Sequence, residues 1–199
     1  ATVRIGLDIG VARTAKTLKE MGINREVDLF PSLFLGASSL TPIEVTQMYQ
    51  TLAGDGFLTP IRGIRAVVAD GGKQLQSYPF TVRQAVDPSA TYLVNTMLQE
   101  VMRHGTGHSA YEEFPKDYGL VGKTGTTNDA KDSWFAGYTG DYLAVVWLGR
   151  DDNKPIGLTG STGALQVWTA LMKQISKQPV TLIPPENITT AWVDSANGL

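Results

Sequence analysis

The spacing of apolar residues changes along this chain, from every second position to every third or fourth and back. Near the start, Val3, Ile5, Leu7, Ile9 and Val11 alternate, and a helical stretch from Thr14 to Met21 follows, closed by Gly22. Residues 23–40 are mixed and turn-rich. A helix over 42–53 is strongly signalled. Thr41 is a good N-cap, Pro42 suits the first turn, and Glu44 stands where a capping box requires it. Ile64 to Val68 and Gln74 to Phe80 flank Asp70-Gly71-Gly72 as the arms of a hairpin. A second helix is capped by Asp87 or Ser89, with Pro88 near its start and Gly105 at its end. Leu93, Met97 and Val101, with Val94, Leu98 and Met102, predict its apolar face.

From residue 120 the period returns to two. Residues 120–127, 133–138 and 142–149 predict three strands, and their short connections make them antiparallel neighbours. A Gly-rich loop over 150–163 leads to a last helix, about 164–176, with Leu165, Trp168, Leu171 or Met172, and Ile175 on one face. From Gln178 the chain is rich in proline and then polar, and is expected to be loosely attached. No repeat appears at a period of 20–50 residues. Helices early, an antiparallel sheet late and a helix returning onto it predict an α+β fold.

Composition narrows the function classes. At 199 residues and 42% hydrophobic, the chain can bury a core. A net charge of −2 gives no bulk attraction to nucleic acid or to an anionic membrane. Cysteine is absent, which excludes disulfides, Cys-ligated zinc, iron–sulfur clusters and a Cys nucleophile, and leaves the compartment open. The longest strand-like apolar run, Leu143 to Leu148, is far short of the ~20 residues that span a bilayer. The chain starts at Ala1 without a signal-like stretch, and is expected to be a segment of a longer protein.

The sharpest chemistry lies in Lys123-Thr124-Gly125-Thr126-Thr127. On a strand, Lys123 and Gly125 face one side and Thr124 and Thr126 the other. A fixed positive charge followed by hydroxyl donors suits a carboxylate. Gly125 removes a side chain where another backbone must approach. An edge strand here pairs with an extended peptide, and one of its N–H groups can face a developing oxyanion. The bland alternative is a strand ending in a Gly-Thr turn.

With Asp132-Ser133-Trp134-Phe135-Ala136-Gly137-Tyr138 after it, this segment resembles the third active-site motif of the penicillin-recognising serine transpeptidases, the relatives of serine β-lactamases, and the strand beyond it. Further segments resemble the class A penicillin-binding proteins, the bifunctional peptidoglycan synthases. They are Leu35-Gly36-Ala37 with Leu40 to Val45, Arg103-His104-Gly105-Thr106-Gly107, Val146 to Asp151, and Gly160-Ser161-Thr162-Gly163. Pro184-Pro185-Glu186 looks most like the penicillin-binding protein 1b branch. The resemblance covers residues 1–187, in the family's order.

One departure matters. No serine in the chain has a lysine three positions later, so the family's Ser-x-x-Lys nucleophile motif is absent. Ser195-Ala196-Asn197 fits Ser-x-Asn by letter, but lies far after Lys123 and is taken as chance. The resemblance therefore implies that residues 1–184 are the C-terminal portion of a D,D-transpeptidase domain, followed by a polar tail over 185–199. An upstream portion would supply the serine, and this portion alone would be inactive and is not expected to fold by itself.

What the resemblance implies for the whole enzyme is a reaction. The serine attacks the D-Ala-D-Ala amide of a peptidoglycan stem peptide, and an amine of a neighbouring stem takes the acyl group. Thr124 and Thr126 would bind the terminal carboxylate, or that of a β-lactam. Lys123 would supply positive potential and help move the proton. The Thr126 N–H would donate to the oxyanion, with Lys123, Thr124, Gly125 and Thr126 together forming the substrate-binding strand. No cofactor and no nucleic acid is implied. The implied location is the periplasmic face of the inner membrane, with an anchor outside this chain. Two other readings are a non-catalytic sensor of the same fold that binds peptide or β-lactam, and a serine β-lactamase, which would need an added deacylating base.

Other residues favour ordinary roles. His104 and His108 have a ligand spacing, but Gly105 and Gly107 end the helix between them and no third ligand is evident. Gly105 to Ala110 matches a dinucleotide fingerprint by letter, yet follows a helix instead of a strand. Asp151-Asp152-Asn153 suits a turn better than a cation site. Trp134, Phe135 and Trp147 are expected mostly in the core, with groove lining the other reading. Asp132 is expected to order the start of its strand, and the Ser161-Thr162 loop to rim the site.

Overall fold

The computed structural model describes residues 2–192. Two short helices, α1 (Thr2–Ile9) and α2 (Val11–Glu20), open the chain. The early alternation thus lies on a helix, where Gly6 packs so tightly on the Phe34 ring that a Cβ would sit 2.4 Å from it. Gly22 closes α2 with φ of +101°, the left-handed conformation a C′ glycine supplies. A 3₁₀ turn over Pro31–Leu35 leads to α3 (Pro42–Ala53). Its capping box is complete. Thr41 Oγ1 accepts from the Glu44 N–H, and the Thr41 N–H and hydroxyl both donate to the Glu44 carboxylate, which holds it below its ordinary range.

The middle of the chain is two small antiparallel pairs. Strand β1 (Phe57–Leu58) pairs with β4 (Arg83–Gln84), and between them β2 (Ala66–Val68) and β3 (Gln74–Ser77) form the expected hairpin. Then α4 (Pro88–His104) begins with Asp87 as its cap, accepting from the Ser89 and Ala90 N–H groups. A three-stranded sheet follows, β5 (Val121–Thr126), β6 (Ser133–Tyr138) and β7 (Leu143–Leu148), in the order β5-β6-β7 and antiparallel throughout. Helix α5 (Ala164–Ile175) returns onto it. The architecture is the α+β arrangement read from the sequence.

The sheet separates two cores. On one face Phe135 and Trp168 meet at 4.9 Å between ring centroids, amid Met102, Leu120, Leu165 and Met172. On the other, Val121, Ala136 and Tyr138 pack against Tyr49 of α3, with Leu98 of α4 beside them. Burial pushes the Tyr49 hydroxyl up to about 12 and the Tyr138 hydroxyl higher still.

Three expectations need correction. The buried side of α4 is Thr91, Asn95, Gln99 and Met102, while Leu93 and Met97 are exposed. Its polar residues go inside because they find partners there: Tyr138 donates to Asn95 Oδ1 at 2.7 Å, and Asn95 Nδ2 donates to Leu52 O at 3.0 Å. The segment after α5 is fastened, at least to Asn187. The Val180 N–H donates to Gly119 O, the Gly140 N–H to Gln178 O, and Ser89 to Asn187. Proline and polarity did not loosen it, because bare glycine backbone at 119 and 140 accepts close approach; a Cβ at Gly119 would lie 2.1 Å from Val180 O. The aromatic trio divides. Phe135 is core, but Trp147 is exposed and forms a tilted pair with Trp134. Ser195-Ala196-Asn197 lies outside the described residues.

Candidate functional site

Strand β5 is an edge of the sheet. Lys123 lies opposite Ala136, Thr124 opposite Phe135, Gly125 opposite Trp134 and Thr126 opposite Ser133. Phe135 belongs to the α5-side core and Ala136 to the other. By alternation the two threonines share the α5 face and Lys123 the opposite one. Lys123 does not extend away from the strand. Its ammonium curls along the edge to donate to Thr124 O at 2.9 Å, and lies 3.5 Å from Thr124 Oγ1. None of the ion pairs among the described residues involves it. The edge therefore carries a positive charge with no ion-pair partner among the described residues, beside the Thr124 hydroxyl.

Each of the two threonine hydroxyls is fixed by a different loop. Thr126 Oγ1 accepts the Gly160 N–H at 2.9 Å, which leaves its own proton free to donate. Gly160 sits directly on the strand: a Cβ there would lie 2.7 Å from Gly125 O and Trp134 O. The loop carrying Ser161 and Thr162 is thus seated beside Thr126, where the sequence reading put it. It is fastened from beneath by Ser133, which is fully buried, donates to Thr159 O at 2.7 Å and accepts the Ala164 N–H at 2.9 Å. Ser133 satisfies one of the orphan N–H groups of α5 from the facing side of the sheet, since Gly163 has no side chain to do so.

Thr124 is fixed from the other side. The Thr106 hydroxyl, in the turn after α4, lies 2.6 Å from Thr124 Oγ1. Sequence reasoning reads Gly105 as a helix end and Arg103 to Gly107 as a segment resembling the family, and gives Thr106 no role of its own. The contact spans the edge of the sheet, and the signal was a hydroxyl residue held between Gly105 and Gly107.

Asp132 orders the connection between β5 and β6. Its N–H donates to Thr127 Oγ1 at 2.8 Å, and its carboxylate accepts from the Thr127 hydroxyl and the Trp147 indole, each at 2.9 Å. The histidines go separate ways. His104 Nδ1 meets Glu100 and His108 Nδ1 meets Arg103 O. The His104 contact, with Arg103 beside it, lowers the Glu100 carboxyl. Among the described residues no group of three or more acidic or imidazole side chains converges. Asp152 is held down to about 2 by Arg150, which binds it through two nitrogens at 2.8 and 3.0 Å. It closes a turn.

The chain is 42% identical over 191 residues to penicillin-binding protein 1B of Vibrio cholerae serotype O1, covering 95% of this chain and 24% of that protein. It is 38% identical over 195 residues to penicillin-binding protein 1B of Escherichia coli K12, covering 97% and 23%. The chain spans about a quarter of the length of these relatives. Among solved structures it resembles penicillin-binding protein 1A from Haemophilus influenzae, with a TM-score of 0.89 over 100% of this chain and 36% of that one, at 23% identity. It also resembles PonA1 of Mycobacterium tuberculosis in complex with penicillin V, with a TM-score of 0.76 over 92% of this chain and 56% of that one, at 22% identity. These likenesses carry the fold. No helix among the described residues is long and apolar enough to cross a membrane. The family model described as the penicillin binding protein transpeptidase domain matches residues 4–173, and the chain belongs to that family.

Proposed function

We propose that this chain supplies the substrate-binding strand of a peptidoglycan D,D-transpeptidase, within a bifunctional peptidoglycan synthase anchored at the periplasmic face of the inner membrane. The serine nucleophile comes from an upstream portion of the same domain. Exposed Ile5, Leu7, Ile9, Phe30, Leu35 and Ile43 support such a portion, since each is a large apolar side chain left for it to cover.

The observation that carries the reading is on the β5 edge, where the Lys123 ammonium lies 3.5 Å from the Thr124 hydroxyl. A stem peptide or a β-lactam lying along that edge meets a positive charge and hydroxyl donors for its terminal carboxylate. Lys123 biases the local potential toward the anion and favours proton transfer between serine and leaving group. Thr124 and Thr126 hold the carboxylate, and Gly125 leaves the strip between Lys123 and Trp134 clear of a side chain. The Thr126 N–H is one donor to the oxyanion that forms when serine attacks the amide carbonyl. The leaving D-Ala amine takes the proton, and an amine of a second stem then accepts the acyl group. The penicillin V complex of PonA1 supports a β-lactam as the mimic of this substrate.

The test is acylation of the complete domain by a fluorescent penicillin, read by intact mass. Lys123→Ala and Thr124→Val are each expected to slow acylation about 10- to 100-fold, the loss of a charge-assisted contact. Parent-like rates in both variants would overturn the assignment. A complete domain that takes no label would make the module a binder and not an enzyme.

A further inference from the structure

The pair Thr106 and Thr124 is a hydrogen-bonding arrangement with a direction to choose. Each hydroxyl has one proton and two lone pairs. With the oxygens 2.6 Å apart, one proton lies between them and the other points away. If Thr124 donates to Thr106, its proton is consumed and it offers the edge only lone pairs, which repel a carboxylate. If Thr106 donates to Thr124, the Thr124 proton turns outward. Thr124 Oγ1 has two lone pairs, so it can accept from the Lys123 ammonium, 3.5 Å away, and from Thr106 together. An anion on the edge selects this second arrangement, since it takes the Thr124 proton and chained donors polarise one another.

Thr106 is well held for this role. The Gly105 and Gly107 N–H groups both donate to Val101 O, at 3.0 and 3.1 Å, folding the turn back on the end of α4. A Cβ at Gly107 would lie 2.5 Å from Met102 Sδ, so the turn is packed down on the core. Beyond it, Gln166 Nε2 donates to Ser109 Oγ at 3.2 Å and to Ser161 O at 3.1 Å. The turn that fixes Thr124 is thereby tied to the loop that fixes Thr126.

We propose that Thr106 is a positioning residue for carboxylate recognition: it donates to Thr124 and so aims the Thr124 proton at the terminal carboxylate of the substrate. The inference rests on the reading of Thr124 as a carboxylate contact, and goes beyond it by assigning the group that orients that contact.

The experiment compares acylation of the complete domain by benzylpenicillin and by its methyl ester, in the parent and in Thr106→Val, Thr106→Ala, Thr106→Ser and Thr124→Val. Loss of the Thr106 hydroxyl is expected to lower the acid-to-ester preference about ten-fold, the worth of one hydrogen bond to a charged system. Val and Ala should agree, Ser should restore the preference, and Thr106→Val combined with Thr124→Val should be no worse than Thr124→Val alone. If the hydroxyl-free Thr106 variants keep the parent preference while Thr124→Val lowers it, the positioning role is overturned and the Thr124 assignment stands. If Thr124→Val also keeps the preference, the carboxylate reading itself fails, and the positioning role with it.

Discussion

The Gly160 N–H donates to Thr126 Oγ1 at 2.9 Å, and the same glycine rests on the backbone of Gly125. One contact orients a side chain and the other sets the height of the loop above the strand. An added methyl would lie 2.7 Å from two carbonyl oxygens and 2.8 Å from Gly125 N. Those are backbone atoms, so the loop must lift. Gly160→Ala is expected to slow penicillin acylation about 5- to 150-fold while the domain stays folded, because losing one oriented donor costs on the order of 1–3 kcal/mol. Acylation at the parent rate would show that Thr126 does not depend on the loop.

Ser133 supports the same loop from below. Its hydroxyl is the donor to Thr159 O and the acceptor for Ala164 N–H, and the residue is fully buried. Ser133→Ala leaves the buried Ala164 N–H without an acceptor and Thr159 O with only the Gly163 N–H. The expected cost is about 1–3 kcal/mol of stability, with slower acylation as a consequence of loop movement. Thermal unfolding and acylation measured on one preparation check both parts. A stable variant with an unaltered rate would mean that the loop holds itself through Thr159 and Thr162.

Apart from α1, whose apolar residues alternate as a strand's would, the helices and the late sheet were legible because their signals are local. Thr41, Pro42 and Glu44 announce a helix start within four residues, and short turns between apolar runs leave β5, β6 and β7 little choice but to pair. The strand carrying Lys123 and its alternation were legible for the same reason. What was hidden depends on distance in sequence. Thr106 meets Thr124, Gly160 meets Thr126, and Ser133 caps a helix 31 residues later, and no period or spacing encodes such contacts. The face of α4 was misread because Asn95 looks like a surface residue until Tyr138 and Leu52 supply partners for its amide.

That amide carries its own prediction. Asn95 joins α4 to β6 through the Tyr138 hydroxyl and to the end of α3 through Leu52 O. Tyr138→Phe removes one bond and leaves Asn95 Oδ1 without its donor, an expected loss of about 1–2 kcal/mol. Asn95→Ala leaves the Tyr138 hydroxyl without its acceptor, leaves the Leu52 carbonyl only the backbone N–H groups at the end of α3, and opens a small cavity, an expected loss of about 2–4 kcal/mol. Denaturant unfolding of the two variants checks the order. Equal losses would mean that Asn95 acts only through Tyr138.

The segment after α5 should be tethered by a titrating group. Asp141, in the turn between β6 and β7, accepts from Thr139 and Ser176 hydroxyls at 2.8 and 2.7 Å, and from the Lys177 N–H at 2.8 Å. Lost hydration works to raise its carboxyl, but these three donors outweigh it and hold the group below the ordinary carboxylate range. A carboxyl depressed by folding stabilises above its unfolded pKa, about 4, and that stabilisation is lost as pH falls through the lower folded value. Hydrogen exchange of the Lys177 amide should therefore be protected and level from pH 7 to about 5, then lose protection below about 4. The Phe135 amide, in the core, serves as the reference for global unfolding over the same range. Asp141→Asn should weaken Lys177 protection at neutral pH and remove its dependence on acid. Protection that stays level to about pH 2.5 beside an intact core would show that the segment is held by Gly119 and Gly140 alone.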